Sequence, residues 1–355
     1  MIEFWQHFKQ GNELIVNKNY SSAKNMYELA LQNASDHKEA ALALEMLSVT
    51  SIRKGDVKDG IRYLEDAINA DPDSPHANRM SCALARQHSL CGNRPQSLAI
   101  QRKLFTRIGW ARAIDANYDF TKELWFVGNH KTFDAILKRL NEKHDAIVIA
   151  EIGSFQGMSI CYMNDNIPLS KNAKLICIDP NFQPEFRSNI NQSINPKRVV
   201  AIEEKSHDYL HILEPKSIHM VHVDGWHVAP QVFIDGLLSV RVIGNEGFIV
   251  FDDYLKEDQT RLGQTVKMGV DAFMSIFGEW LDVVVEGRQL VCQLREDVDW
   301  QRAEIRLKCL LRNLLPHHSY KINSQYFGDI YDLSLSCYND LLSVSWDINY
   351  NIDLK

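Results

Sequence analysis

Several things that would fix a class at once are missing from this chain. No run of about 18 apolar residues occurs, so no membrane-spanning helix is expected. There is no C-x-x-C pair. The seven cysteines (Cys82, Cys91, Cys161, Cys177, Cys292, Cys309, Cys337) are scattered, mostly in apolar runs, and read as buried free thiols of a reducing cytoplasm rather than zinc ligands. No Lys/Arg block appears and the net charge is −7, which argues against a nucleic-acid partner. The opening Met1-Ile2-Glu3-Phe4-Trp5 lacks the basic-then-apolar pattern of a signal peptide, so a cytoplasmic location is expected. What remains is an ordinary soluble composition, 45% hydrophobic and 24% charged over 355 residues, with room for two separate cores.

Residues 1–112 contain no convincing strand, and apolar residues recur there at helical spacing. The segment also repeats itself. Helix openings at 19–31 and 55–68 are followed by a poorer copy at 92–99. Small residues stand where two helices must approach closely, as at Ala23, Ala30 and Ala67, and Pro72 stops the second helix. This pattern resembles the tetratricopeptide repeat, a helix-turn-helix unit of about 34 residues, best matched over 41–74. Single units cannot bury their apolar face, so stacking is the physical reason for repetition. The resemblance implies a protein or peptide partner. A plain helical bundle used for dimerisation or as a lid is the alternative.

From about residue 113 the pattern changes to apolar runs alternating with helical segments. The runs at 145–153, 174–179, 198–202, 218–224 and 247–253 read as buried parallel strands, and 281–286 with 289–294 as an antiparallel hairpin around Gly287-Arg288. Alternating strands and helices predict an α/β domain over 113–295 whose sheet is covered on both faces. Residues 296–355 are expected to form a C-terminal extension, a lid or an oligomer contact. In it 300–315 suits a helix that Pro316-His317-His318 breaks, followed by a Tyr- and Asn-rich tail.

In an open parallel sheet, ligands bind outside the carboxyl ends of the strands. Here those ends carry Gly153, Asp179, Asp224, Asp252 and Asp253. Four carboxylates at one edge exceed what packing requires, and each is expensive there without a ligand, metal or backbone donor. Glu151-Ile152-Gly153-Ser154-Phe155-Gln156-Gly157-Met158-Ser159 turns tightly from strand to helix, and its glycines let backbone approach a ligand. Asp179 lies 26 residues after Gly153, where an acid can accept two ribose hydroxyls; it is also placed to cap a helix before Pro180. Adjacent strand ends bearing Asp224, Asp252 and Asp253 can converge on one cation, and oxygen-only donors suit Mg²⁺ or Mn²⁺.

The glycine turn and Asp179 resemble class I S-adenosylmethionine-dependent methyltransferases, which implies a Rossmann-like sheet, mostly parallel with an antiparallel edge hairpin, preceded here by an all-α helical-repeat domain. On that match Glu151, Gly153, Ser154, Gly157, Ser159 and Asp224 line the cofactor, Asp179 binds its ribose, and Ser206 touches adenine. The pair Asp224-Gly225-Trp226-His227 and Phe251-Asp252-Asp253-Tyr254 looks like the metal-dependent sugar O-methyltransferases of the macrocin and mycinamicin group, over about 120–295. That resemblance implies Asp224, Asp252 and Asp253 as metal ligands and His227 as general base. Some relatives carry Glu where Asp252 stands. Trp226 and Tyr254 suit either the wall of an acceptor pocket or the core.

The resulting expectation is metal-dependent methyl transfer to a hydroxyl of a small polyhydroxylated acceptor, such as a natural-product sugar, in a chain able to form a homo-oligomer. Two alternatives stand beside it. One is a metal-independent methyltransferase acting on an amine, a carboxylate or a protein side chain. The other is a tetratricopeptide interaction protein whose cofactor-binding domain does no chemistry.

Overall fold

The computed structural model describes residues 2–122, 124–255, 264–315, 338–343 and 346. The break expected at Pro316-His317-His318, most of the polar tail, and Cys337 lie outside these residues. The chain divides into two compact units, Met1–Lys131 and Thr132–Lys355.

The first unit holds α1 (Ile2–Val16), α2 (Tyr20–Gln32), α3 (His37–Lys54), α4 (Val57–Ala70), α5 (Pro75–Leu90), α6 (Arg94–Arg107) and the short α7 (Ala111–Asp115). Local chemistry sets these boundaries. The Asp36 side chain accepts from the Glu39 N–H, and the Glu39 carboxylate accepts from the backbone and hydroxyl of Ser35, closing the start of α3 in both directions. Gly55 ends that helix in a left-handed conformation, φ +94°. Ser74 caps α5, with Pro75 in its first turn, where a missing N–H costs nothing. Consecutive helices pack on one another from α1 to α6, and Ala23, Ala30 and Ala67 are fully buried where they meet. Past residue 112 the chain still packs inside this unit. Phe120 stacks on Trp110 and Tyr118 packs tilted against it, and the Gln101 amide bonds the backbone of Tyr118 and Phe120.

The second unit holds β1 (Ala146–Ile152), β2 (Asn172–Ile178), β3 (Val199–Ile202), β4 (Ile218–Val223), β5 (Ile243–Phe251), β6 (Leu281–Glu286) and β7 (Leu290–Leu294). They form one sheet in the order β3-β2-β1-β4-β5-β7-β6. The first five strands are parallel, and β7 runs antiparallel between β5 and β6, so the expected hairpin is present and its second strand is the inner one. The helices are α8 (His130–Lys143), α9 (Met158–Asn166), α10 (Phe186–Gln192), α11 (Ser206–Leu210), α12 (Ala229–Val242), α13 (Val266–Phe277), α14 (Trp300–Leu314) and α15 (Tyr338–Ser343).

Strand alternation sorts the core. Ala150, Ile152, Val221, Val223, Ile249 and Phe251 face one way and join Phe233, Leu237, Val270 and Phe273 of α12 and α13 in one buried cluster. Leu307, Leu310, Leu311 and Leu314 of α14 extend that cluster, as does Trp346, whose ring meets Phe233. The described part of the segment after 295 is therefore built into the core of this unit. The other face carries Ile149, Glu151, Met220, His222 and Val250, and Phe133 of α8 sets its ring edge-to-face against His222 at 4.9 Å. Of the described cysteines, Cys161, Cys177 and Cys292 are buried, Cys82 and Cys309 half-buried and Cys91 exposed, all as free thiols.

Candidate functional site

Backbone hydrogen bonds carry the sheet one residue beyond its strands and line up the predicted groups. Gly153 N–H donates to Ile178 O (2.9 Å), Asp224 N–H to Ile152 O (2.9 Å), Asp252 N–H to Val223 O (3.0 Å) and Asp179 N–H to Ile202 O (3.1 Å). Gly153, Asp179, Asp224 and Asp252 thus stand in one row at the carboxyl edge. Only glycine fits at 153. Its φ is +83°, and a Cβ there would lie 2.2 Å from the carbonyl oxygen of Asp224. Gly157, φ +79°, opens α9 with the Phe186 ring 3.0 Å from where its Cβ would be.

Asp179 ties the turn to the next strand. One carboxylate oxygen accepts from Phe155 N–H (3.0 Å) and the other from Asn181 N–H (2.8 Å). Each oxygen keeps a lone pair for a ligand hydroxyl. Glu151 is fully buried, and its Oε1 accepts from the Ser159 hydroxyl and from His222 Nδ1 at 2.9 Å. Ser154 is buried in the turn. Ser206 is buried at the start of α11; its hydroxyl donates to Asp235 Oδ1 (2.6 Å) and accepts from Gln231 (3.1 Å), so its proton is committed inside the protein. Burial pushes the Asp235 carboxyl up to about 7, against the opposing pull of its Ser206 and Gln231 hydrogen bonds.

The acidic cluster comes together with one addition and one departure. A ring nitrogen of His222, a carboxylate oxygen of Asp224 and one of Asp252 lie within 4.8 Å of one another. Asp253 is not in that group. It takes a left-handed conformation, φ +56°, and its buried carboxylate meets Arg288 Nη2 at 3.3 Å and His227 Nδ1 at 3.4 Å. His227 Nε2 lies 3.2 Å from Asp224 Oδ1, so the imidazole bridges the two carboxylates. Trp226 beside it is 58% exposed and free to wall a ligand, whereas Tyr254 is buried with its hydroxyl on Asp271 (2.9 Å).

The electrostatics call for positive charge here. Burial, then the neighbouring charge of Asp252, raises the Asp224 carboxyl to about 7, although the His227 hydrogen bond and the His222 and His227 charges oppose this. For His222, burial disfavours the cation, but the Glu151 hydrogen bond and the fields of Asp224, Glu151 and Asp252 outweigh it, raising the group to about 9. Carboxylates this close must share a proton or a cation.

Sequence reasoning missed His222, Arg288, Gln231 and Asp235. His222 had a signal: it stands two residues before Asp224 on the same strand, hence on the same face. Arg288 had none, because only the folding of the hairpin brings it to Asp253.

Residues 150–254 match the family model described as a methyltransferase domain. That stretch runs from the second half of β1 to the turn after β5 and contains the whole carboxyl-edge row. An uncharacterized protein of Acanthamoeba polyphaga mimivirus is 32% identical over 119 residues, 31% of this chain and 52% of that protein; the chain thus spans about half the length of the curated relative it matches. Among solved structures, an O-methyltransferase of tomaymycin synthesis from Streptomyces achromogenes, in complex with S-adenosylmethionine, is 15% identical and covers 47% of this chain and 86% of its own, with a TM-score of 0.38. An O-methyltransferase of Bacillus cereus in complex with S-adenosylhomocysteine is 11% identical and covers 55% and 91%, with a TM-score of 0.39.

Proposed function

We propose that this chain transfers a methyl group from S-adenosylmethionine to a hydroxyl of a small polyhydroxylated acceptor, such as a natural-product sugar, with a divalent cation at the acidic cluster. The observation that carries the reading is the grouping of His222, Asp224 and Asp252, with His227 against Asp224, at the end of a sheet whose residues 150–254 match a methyltransferase domain. The donor chemistry fits a cation. Asp224 and Asp252 supply oxygens, and His222 Nε2 is a buried nitrogen with no hydrogen-bond partner among the described residues.

The glycine turn brings backbone close to the methionine portion of the cofactor, and Asp179 offers its two carboxylate oxygens to the ribose. A bound Mg²⁺ or Mn²⁺ would supply Lewis acidity, needed because an alcohol with a pKa of about 15 is a poor nucleophile at neutral pH. With its ring neutral, Nδ1–H on Asp253 fixing the orientation and Nε2 released from Asp224 Oδ1, His227 takes the hydroxyl proton at Nε2. The acceptor oxygen bonds to the methyl carbon as the sulfur–methyl bond breaks, which leaves S-adenosylhomocysteine and a protonated His227. Alignment of the two reactants supplies much of the acceleration.

A metal-independent reading has one observation in its favour: Arg288 already balances the charge of Asp253. The first unit serves acceptor delivery or a peptide partner in either reading. Methyl-labelled S-adenosylmethionine offered with a panel of sugars, phenols, amines and carboxylic acids separates the two. Transfer to a hydroxyl that EDTA abolishes and Mn²⁺ or Mg²⁺ restores is expected. Chelator-resistant turnover removes the cation from the scheme, and absence of cofactor binding by calorimetry removes the scheme itself.

A further inference from the structure

The family resemblance places Asp224, Asp252 and Asp253 around the cation. We infer a different set for this chain: the cation is held by His222, Asp224 and Asp252, while Asp253 stays outside it as the partner of Arg288 and His227. The inference rests on the cation-dependent reading above and names its ligands.

Three observations carry it. First, register and alternation put His222, Asp224 and Asp252 on one face. His222 pairs with Val250, two residues before Asp252, and precedes Asp224 by two on its own strand. Second, His222 is oriented as metal-bound histidines usually are. A carboxylate can only accept, so the ring donates Nδ1–H to Glu151 and leaves Nε2 as the nitrogen at which a cation would take the place of a proton. Among the described residues that Nε2 is buried without a hydrogen-bond partner, in a residue only 1% exposed. Glu151 is itself fixed by the Ser159 hydroxyl, and the ring by Phe133, so the imidazole cannot swing away. Third, both oxygens of Asp253 face other partners, Oδ1 the Arg288 guanidinium and Oδ2 the His227 ring. The left-handed backbone at Asp253 turns its side chain out of the register that Asp252 keeps. A nitrogen and two carboxylates leave positions open for water and an acceptor oxygen.

The test uses Mn²⁺ as probe on the full chain. Electron spin echo spectroscopy should show ¹⁴N coupling from a directly bound imidazole, lost in His222→Gln and kept in His227→Gln. Calorimetry should show Mn²⁺ affinity falling at least 10-fold in His222→Gln and in Asp224→Asn, and staying within about threefold in Asp253→Asn. The wild-type spectrum needs no variant, so a poorly folded His222→Gln leaves the nitrogen signal to decide. Mn²⁺ bound without ¹⁴N coupling, or Asp253→Asn losing as much affinity as Asp224→Asn, overturns the inference and leaves cation dependence intact. A folded wild-type chain that binds no Mn²⁺ overturns both.

Discussion

Replacing Gly153 by alanine tests whether the strand-to-helix turn and the acidic edge are one mechanical unit. The added Cβ would stand 2.2 Å from Asp224 O, 2.7 Å from Asp224 C and 2.7 Å from Gly225 Cα. All three are backbone atoms, so no side-chain rotation relieves the clash. Two costs add. A non-glycine residue held in the left-handed region costs about 1–2 kcal/mol, and overpacking a closed site costs about 1–3 kcal/mol. The sum, about 2–5 kcal/mol, corresponds to roughly 5–15 °C for a unit of this size. Thermal unfolding followed by calorimetry resolves the transition of the second unit, and isothermal titration gives the cofactor affinity, which should fall because the clash separates the ends of β1 and β4. Gly287→Ala is the control: a Cβ there meets nothing within 4 Å, and its melting should match wild type to within about 0.5 kcal/mol. Gly153→Ala melting like Gly287→Ala, with unchanged cofactor affinity, would refute the coupling of these strand ends.

Four further outcomes are expected. Asp235→Asn should gain stability over wild type as pH rises. A carboxyl raised from 3.8 to about 7 contributes stability that is full below pH 4 and lost as pH climbs through 7, and asparagine keeps the shape without the titration. At about 1.4 kcal/mol per pKa unit the swing is up to about 4 kcal/mol, and a flat difference in melting temperature across pH 4–8 would contradict it. His227→Ala should lower turnover by about 10²–10⁴-fold, the usual worth of a general base; cofactor affinity should hold, and unchanged turnover would remove His227 from the chemistry. Asp179→Ala removes the acceptor of two backbone N–H groups and should weaken cofactor binding by about 1.5–3 kcal/mol, the worth of a charged hydrogen bond, which titration calorimetry reads directly. Mn²⁺ at 100 times its dissociation constant should raise the free energy of unfolding by about 2.7 kcal/mol, reversed by EDTA. Mn²⁺ should do so at lower concentration than Mg²⁺, because a nitrogen ligand suits the transition metal better; equal potency would count against a histidine ligand.

Much of this molecule was legible in one dimension. Runs such as Ile147–Ala150 and Leu175–Ile178 are apolar on both faces, which only a covered parallel sheet accommodates. The helix openings read at 19–31 and 55–68 are α2 (Tyr20–Gln32) and α4 (Val57–Ala70). The strand-end acids could be read because a buried strand that finishes in aspartate carries its own address. What the chain alone did not determine was which way those acids point. Asp252 and Asp253 are neighbours of the same type, yet a left-handed backbone at one of them sends the two carboxylates to different partners. Arg288 reaches Asp253 across 35 residues only because β7 inserts between β5 and β6. That His222 shares a face with Asp224 was readable from spacing, but the orientation of its ring is set by Glu151, on a different strand. Period and burial are local properties of a chain, so sequence carries them. The meeting of charges at a sheet edge depends on register between strands far apart in sequence, and only the tertiary structure decides it.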